Sequence, residues 1–410
     1  MSQQGPILIV SNGAGSPIAD AVAALKIFPL VESDWAEAAD AIARLQPAAI
    51  LAGDTEANEA TLAKVARQLK AVTPYTPLIV IDPKTSLPEN ALPFAQSHAD
   101  TSHLIARLKA ALRVRTGHAT LIRRLAAPSS PRMPKSDPLH DATVLLIGRG
   151  GSFPALSVAL GQQMGVVGAL SIEAAAKHLN ARDLDGVVIG EGFSNRVIDA
   201  FLTVLSEDAR FRNLPVLMAT ADGVINGYDL PNLEITSGDA TTLAQFAVPM
   251  IRQHAFEARI LRALKSIDAG GLLDPRTGLL TREAFDRDLN AAINENLSRG
   301  AGLSVARISF GHISERTQFD AARIVGRLMR RMDFATLDDN GGILIVFAET
   351  GLRNAQLVSR RFSSVLKHTM MSANVEQRLE PQVALATLLP NDSAGSMLSR
   401  LDQEARRVAS

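Results

Sequence analysis

The sequence predicts an α/β chain: two doubly wound parallel sheets in tandem, followed by a third module. PILIVSN near the start and ATVLLIGRG from Ala142 each open a segment in which short apolar strands alternate with amphipathic helical stretches. Strand, helix, strand in that rhythm implies a parallel sheet with right-handed crossovers and helices on both faces. At 410 residues the chain exceeds one ordinary domain, so a domain-sized repeat fits its length. Hydrophobic residues at 47% and charged ones at 20% give every module enough apolar side chains to bury a core.

In the first copy, Pro6 to Val10, Pro47 to Asp54 and Pro77 to Asp82 read as buried strands. Leu104, Leu108 and Leu112 fall on one face of a closing helix that ends in Arg113 and Arg115. The second copy offers Val144 to Ile147, Asp185 to Glu191, Leu214 to Thr220 and Leu233 to Ser237. The pattern is that of the flavodoxin-like, doubly wound arrangement. These modules span 1–124 and 142–241, and the four prolines and three serines between Leu125 and Asp141 mark a linker over 125–141. Ile251, Ile260, Leu261, Leu264 and Ile267 predict a connecting helix over 242–268, interrupted or kinked near Pro249. Its short heptad run allows either pairing with a second copy or packing on its own domain. The third module occupies 269–410.

Lys plus Arg equals Asp plus Glu at 42 each, so no global field favours nucleic acid or an anionic membrane, and any anionic ligand requires local arginines. The absence of cysteine excludes disulfides, thiolate metal sites and a Cys nucleophile, and agrees with a cytoplasmic location. MSQQGPILIVSN lacks the basic start of an export signal, and no apolar run reaches the 18 or so residues of a membrane span.

Both front copies resemble response-regulator receiver domains, and RLKAALR (Arg107 to Arg113) is similar to the close of receivers that precede GGDEF domains. That family binds Mg²⁺ with an acidic pair after the first strand and phosphorylates an aspartate ending the third. Here the pair is Ser11 and Asn12 in one copy, Gly148 and Arg149 in the other. Gly53 and Gly190 align with the acceptor, followed by Asp54 and Glu191. A one-residue slip restores Asp54, although strand alternation then points it elsewhere. Without two carboxylates for a hard cation, the resemblance implies docking and dimerisation modules. The GRGGS run at Gly148 lacks the ending of a phosphate loop and reads as a tight strand-to-helix turn.

LDPRTGLLTREAF from Leu273 resembles the opening of GGDEF domains, with Asp274, Thr277, Gly278, Leu279 and Arg282 matching. DNGGILIVFAET (Asp339 to Thr350) takes the place of the signature hairpin, whose five positions read Asp339, Asn340, Gly341, Gly342 and Ile343. A diguanylate cyclase needs carboxylates for two metal ions to neutralise triphosphate charge. Gly341 and Gly342 stand in place of the acidic pair, and the strand Leu303 to Ser309 ends in RIS instead of D-x-D. The guanine-recognition segment is shortened around Gly311 and His312, and the tail lacks the family's phosphate-facing lysine. His312 reads as a surface or cap histidine. The resemblance therefore implies a degenerate, non-catalytic GGDEF domain of α+β fold, with no Mg²⁺ expected.

The same resemblance implies a ligand. The family's allosteric R-x-x-D motif, nine residues before the signature, falls on Arg330 and Asp333, and the alignment places a further arginine at Arg361. Guanidinium groups fork onto the O6 and N7 edge of guanine and pair with phosphate, while aspartate accepts from N1 and N2. Taken alone, Arg330 and Arg331 also suit a helix C-terminus paired with Asp333. The whole architecture resembles the PopA-type cyclic di-GMP effectors and, more distantly, PleD-type cyclases. It implies that cyclic di-GMP binds at Arg330, Asp333 and Arg361 and alters contact with an unidentified protein partner through the receiver-like modules, which also form the homodimer contact in relatives. A residual cyclase and a ligand-independent scaffold are the alternatives.

Overall fold

The computed structural model describes residues 5–13, 17–24, 29–84, 87–96, 100–125, 136–220, 227–299, 302–311, 313–330, 332–369 and 380–409. They form three sheets in two compact units. One unit takes in Met1–Ala126, Asp137–Ala175 and Leu184–Ile260; the other takes in Ala127–Ser136, Ala176–Asp183 and Leu261–Ser410.

The first sheet is parallel, in the order β2-β1-β3-β4-β5, from β1 (Ile7–Ser11), β2 (Leu30–Asp34), β3 (Ala49–Ala52), β4 (Leu78–Ile81) and β5 (Ala91–Phe94). Its helices are α1 (Pro17–Ala23), α2 (Ala38–Leu45), α3 (Glu59–Ala71) and α4 (Thr101–Leu125). The central strands are buried on both faces, which is why they read as unbroken apolar runs. Leu8, Val10, Ile50, Leu62, Val65 and Val80 belong to one core. A helix after every strand is the doubly wound expectation, but the described residues between β4 and β5 form none, the connection spanning only residues 82–90. Two further expectations are corrected: α4 does not stop at Arg115 but runs to Leu125, and Leu125 is therefore helical, not linker.

The second sheet repeats that order: β6 (Thr143–Ile147), β7 (Gly165–Ala169), β8 (Gly186–Ile189), β9 (Val216–Ala219) and β10 (Leu233–Thr236) lie as β10-β9-β8-β6-β7. With them go α5 (Phe153–Gly161), α6 (Ile172–Ala181), α7 (Asn195–Glu207) and α8 (Ala240–Asp268). Pro249 does not interrupt α8, which is one helix from Ala240. Along it Leu243, Ala247, Met250, Ile251 and Ala255 are buried, so this part packs on its own unit, whereas Leu261 is exposed. The linker's end forms a 3₁₀ turn, Pro138–Asp141, capped by the Asp137 carboxylate accepting from Leu139 N–H at 2.9 Å. Residues 126–135 lie outside the described ones.

The two sheets of this unit meet through a buried ion pair. Arg107 on α4 and Glu234 on β10 are each 1% exposed and 3.2 Å apart. Arg107 also donates to Pro93 O of β5 at 2.6 Å and to Leu233 O at 2.8 Å. Carbonyls near both edge strands thus receive donors from one guanidinium.

The third sheet is antiparallel, in the order β12-β13-β11-β14, from β11 (Ser304–Ser309), β12 (Phe334–Leu337), β13 (Ile343–Phe347) and β14 (Gln382–Thr387). Its helices are α9 (Arg282–Arg299), α10 (Glu315–Leu328), α11 (Leu352–Thr369) and α12 (Ala394–Ala409), and from β11 to β14 the chain reads βαββαβ. The strand period of two divides its core: Ala306, Ile308, Ile345 and Phe347 pack with α10 and α11, while Val305, Leu344, Val346 and Ala384 pack with α9 and α12. Among the described residues, no helix is long and apolar enough to cross a membrane.

Candidate functional site

In the first module, Ser11 ends β1 and Asn12 follows. β3 ends at Ala52, so strand alternation does not set the direction of Asp54. That residue is left-handed, with φ of 51°, and its Oδ2 accepts from Asn12 N–H at 3.1 Å. Asp54 therefore does reach the end of β1, held there by an asparagine main chain and with Asn58 Nδ2 on Asn12 Oδ1 at 3.0 Å. In the second module Arg149 N–H donates to Glu191 O at 2.9 Å, and its guanidinium lies over the Phe193 ring, 5.3 Å from the centroid. A Cβ on Gly150 would meet Glu191 Oε2 at 2.5 Å. The GRGGS run is a close-packed turn into α5.

The opening motif of the third module is also a turn. Asp274 Oδ1 accepts from Arg276 N–H at 2.6 Å, Gly278 N–H donates to Asp274 O at 2.8 Å, and Gly278 has φ of 76°. It leads to Arg282, which starts α9 and forms ion pairs with Asp286 at 3.0 Å, Asp338 at 3.8 Å and Asp339 at 3.9 Å. The β12–β13 hairpin closes through Asp338 N–H to Gly342 O at 2.7 Å and Gly341 N–H to Asp338 O at 2.9 Å. Gly341 has φ of 77°. The displaced Gly-Gly thus serves the tight turn.

Arg307 on β11 points into this hairpin, forming ion pairs with Asp338 at 2.9 Å and with Asp402 of α12. The positions where the resemblance would place metal carboxylates hold a guanidinium and two glycines. This donor set does not fit a divalent cation, because the Arg307 guanidinium stands where a carboxylate ligand is needed and is itself paired with Asp338 at 2.9 Å. Among the described residues, no group of three or more His, Asp and Glu side chains converges as a metal would require. His312 and Arg331 lie outside the described residues.

Arg330 follows α10, and the chain turns there through Asp333 N–H to Arg330 O at 3.0 Å. That turn folds the two side chains together: Arg330 Nε lies 3.4 Å from Asp333 Oδ2, with the arginine half exposed and the Asp333 side chain 1% exposed. Ala348 N–H donates to Asp333 Oδ1 at 3.2 Å, and Arg330 Nη2 to Thr350 Oγ1 at 3.5 Å. Burial pushes the Asp333 carboxyl above the usual carboxylate range, with Arg330 opposing that shift. Asp333 Oδ2 is buried without a hydrogen bond among the described residues. Arg361 stands on α11 with its side chain exposed, beside the buried Phe362, and has no partner among the described residues. Arg330 and Asp333 are brought together directly, while Arg361 forms neither a hydrogen bond nor an ion pair with them. The roles of Ala348 and Thr350 were not assigned from sequence; their one signal was position, just past a strand beside the hairpin.

No family model matches this sequence, and no curated protein matches it. Among solved structures the chain is similar to the coiled coil and GGDEF domain of DgcB from Caulobacter crescentus in complex with c-di-GMP, at 17% identity, covering 37% of this chain and 87% of that one, with a TM-score of 0.32. It is similar to a sensory box/GGDEF family protein from the same organism, at 21% identity, covering 34% and 97%, with a TM-score of 0.29. A third likeness is to the FimX GGDEF domain from Pseudomonas aeruginosa, at 15% identity, covering 34% and 93%, with a TM-score of 0.31.

Proposed function

We propose that this protein is a cyclic di-GMP receptor that binds the dinucleotide at Arg330, Asp333 and Arg361 of a degenerate GGDEF domain, without turning over GTP. The observation that carries the reading is the Arg330–Asp333 pair. A half-exposed guanidinium stands 3.4 Å from a carboxylate whose Oδ2 is buried and lacks a hydrogen bond among the described residues. A buried carboxylate oxygen that has an ion pair at 3.4 Å but no hydrogen bond is under-satisfied, and a guanine edge donating N1–H and N2–H to Asp333 supplies the hydrogen bonds while the guanidinium takes O6, N7 or phosphate. Arg361, exposed and without a partner among the described residues, can add a second cation.

The non-catalytic half of the reading is supported by Arg307, whose side chain occupies the carboxylate-rich corner next to the hairpin. Inward-facing cations there oppose binding of the metal ions that phosphoryl-type transfer from a triphosphate needs. The receiver-like modules then serve as the surfaces that relay ligand state to a protein partner. The test is thermal unfolding with and without saturating cyclic di-GMP. Stabilisation is expected in the wild type and lost in Asp333→Asn, and an unchanged midpoint in the wild type contradicts the reading.

A further inference from the structure

The third sheet ends at β14, and no strand among the described residues pairs with its outer edge. Leu388 N–H donates to Leu303 O at 2.8 Å, so with the register Ser304↔Thr387 the main chains of Ala384 and Ala386 bond to β11. In an antiparallel ladder these positions alternate, and the N–H and C=O groups of Val383, Leu385 and Thr387 point outward. Thr387 O shows this directly, accepting from Arg400 Nη2 at 2.6 Å. The outward edge is the floor of a groove of about 570 Å³ whose walls are α11 and α12. Ser359 lines it, 1% exposed, and its hydroxyl has no hydrogen-bond partner among the described residues.

We propose that this groove receives an extended segment of a partner protein as an added strand beside β14, with alternating apolar side chains and an acidic residue set against Arg360. A strand edge with open donors and acceptors, here those of Val383 and Leu385, binds another strand through the main chain and selects its side chains by alternation, the Thr387 carbonyl being already taken by Arg400. The edge is recessed between two helices, so a second copy of this chain, whose own β14 is equally recessed, cannot bring its edge to it; an isolated strand can enter. Charge on the walls sets the acidic preference. Arg400 is held by Asp392 at 2.7 Å and Glu404 by Arg407 at 2.8 Å, whereas Arg360 is exposed and without a partner among the described residues. Leu352 and Leu389, 42% and 46% exposed, supply apolar contact at the rim, and the Ser359 hydroxyl gains a main-chain carbonyl. This site is independent of dinucleotide binding at Arg330.

The probe is a fluorescein-labelled peptide, Val-Thr-Val-Glu-Val-Thr-Val, titrated against the full chain by anisotropy. Saturable binding at micromolar concentration is expected, abolished by N-methylating one alternate set of peptide amides and tolerated with the other set, and weakened at least tenfold by Arg360→Glu. The Leu385 amide should exchange with solvent more slowly once the peptide is bound. Three results overturn the proposal: no saturation, binding indifferent to which amides are methylated, or Leu385 protection in the peptide-free protein that disappears on dilution, which would mean a second copy occupies the edge.

Discussion

Arg107 and Glu234, 127 residues apart in the sequence, form an ion pair at 3.2 Å with both side chains 1% exposed.

 The pair fastens the edge strand of one sheet to the neighbourhood of the other. Glu234→Ala leaves a guanidinium buried without its counter-charge, which costs about 3–5 kcal/mol. Denaturant unfolding followed by the single tryptophan, Trp35, which is buried in the first module, should show that loss. A change under about 1 kcal/mol would contradict the buried geometry.

His103, one turn before Arg107 on α4, makes the same junction sensitive to pH. Its Nε2 lies 3.1 Å from Leu233 O, and burial, then the Arg107 charge, lowers its pKa to about 4, with the Leu233 hydrogen bond and Asp100 opposing. The folded state therefore holds a neutral imidazole that the unfolded chain protonates near pH 6.5. The stabilisation is complete above about 6.5 and is lost as pH falls toward about 4. His103→Gln should flatten the fall in unfolding midpoint between pH 7 and pH 5; an unaltered slope would place the titration elsewhere.

Arg307 binds two acids that would otherwise repel each other, Asp338 and Asp402. Asp338 is the more buried of the two, at 6% side-chain exposure, and Arg282 approaches it only to 3.8 Å. Arg307→Ala should destabilise the third module by about 3 kcal/mol. The double variant Arg307→Ala with Asp338→Ala should recover part of that loss, and strict additivity of the two changes would show that they do not interact.

Gly341 tests the hairpin. Its φ of 77° is a left-handed conformation, and an added Cβ would meet Gln318 Nε2 at 2.5 Å. Gly341→Ala should lower stability by about 1–2 kcal/mol, while Gly342→Ala should act for a different reason, its Cβ meeting Ile308 O at 3.0 Å. Equal stability of Gly341→Ala and the wild type would refute the turn.

Legibility in the sequence followed unbroken apolar runs. β1, β3, β4, β6, β8 and β9 are central or nearly so, and their two-sided burial writes a continuous apolar run. Of the edge strands, β10 was legible, but β2, β5 and β7 were not: LVESD is half exposed and polar, ALPF is buried but short and carries a proline, and GVVGA carries two glycines. The full length of α4 was hidden because its residues beyond Arg115 have little apolar periodicity before Leu121. At the candidate site, spacing identified Arg330 and Asp333, which a local turn joins. No spacing rule reveals that Glu234 partners Arg107, or that Arg307 reaches both Asp338 and Asp402, since such pairs depend on tertiary packing.

The central claim is ligand binding by the Arg330–Asp333 pair, and calorimetric titration of the purified chain with cyclic di-GMP, beside Arg330→Ala, tests it most directly. Saturable heat at micromolar or tighter affinity, lost in Arg330→Ala and weakened in Arg361→Ala, is the predicted result. No heat from the wild type at high ligand, or equal affinity in wild type and Arg330→Ala, would contradict the account.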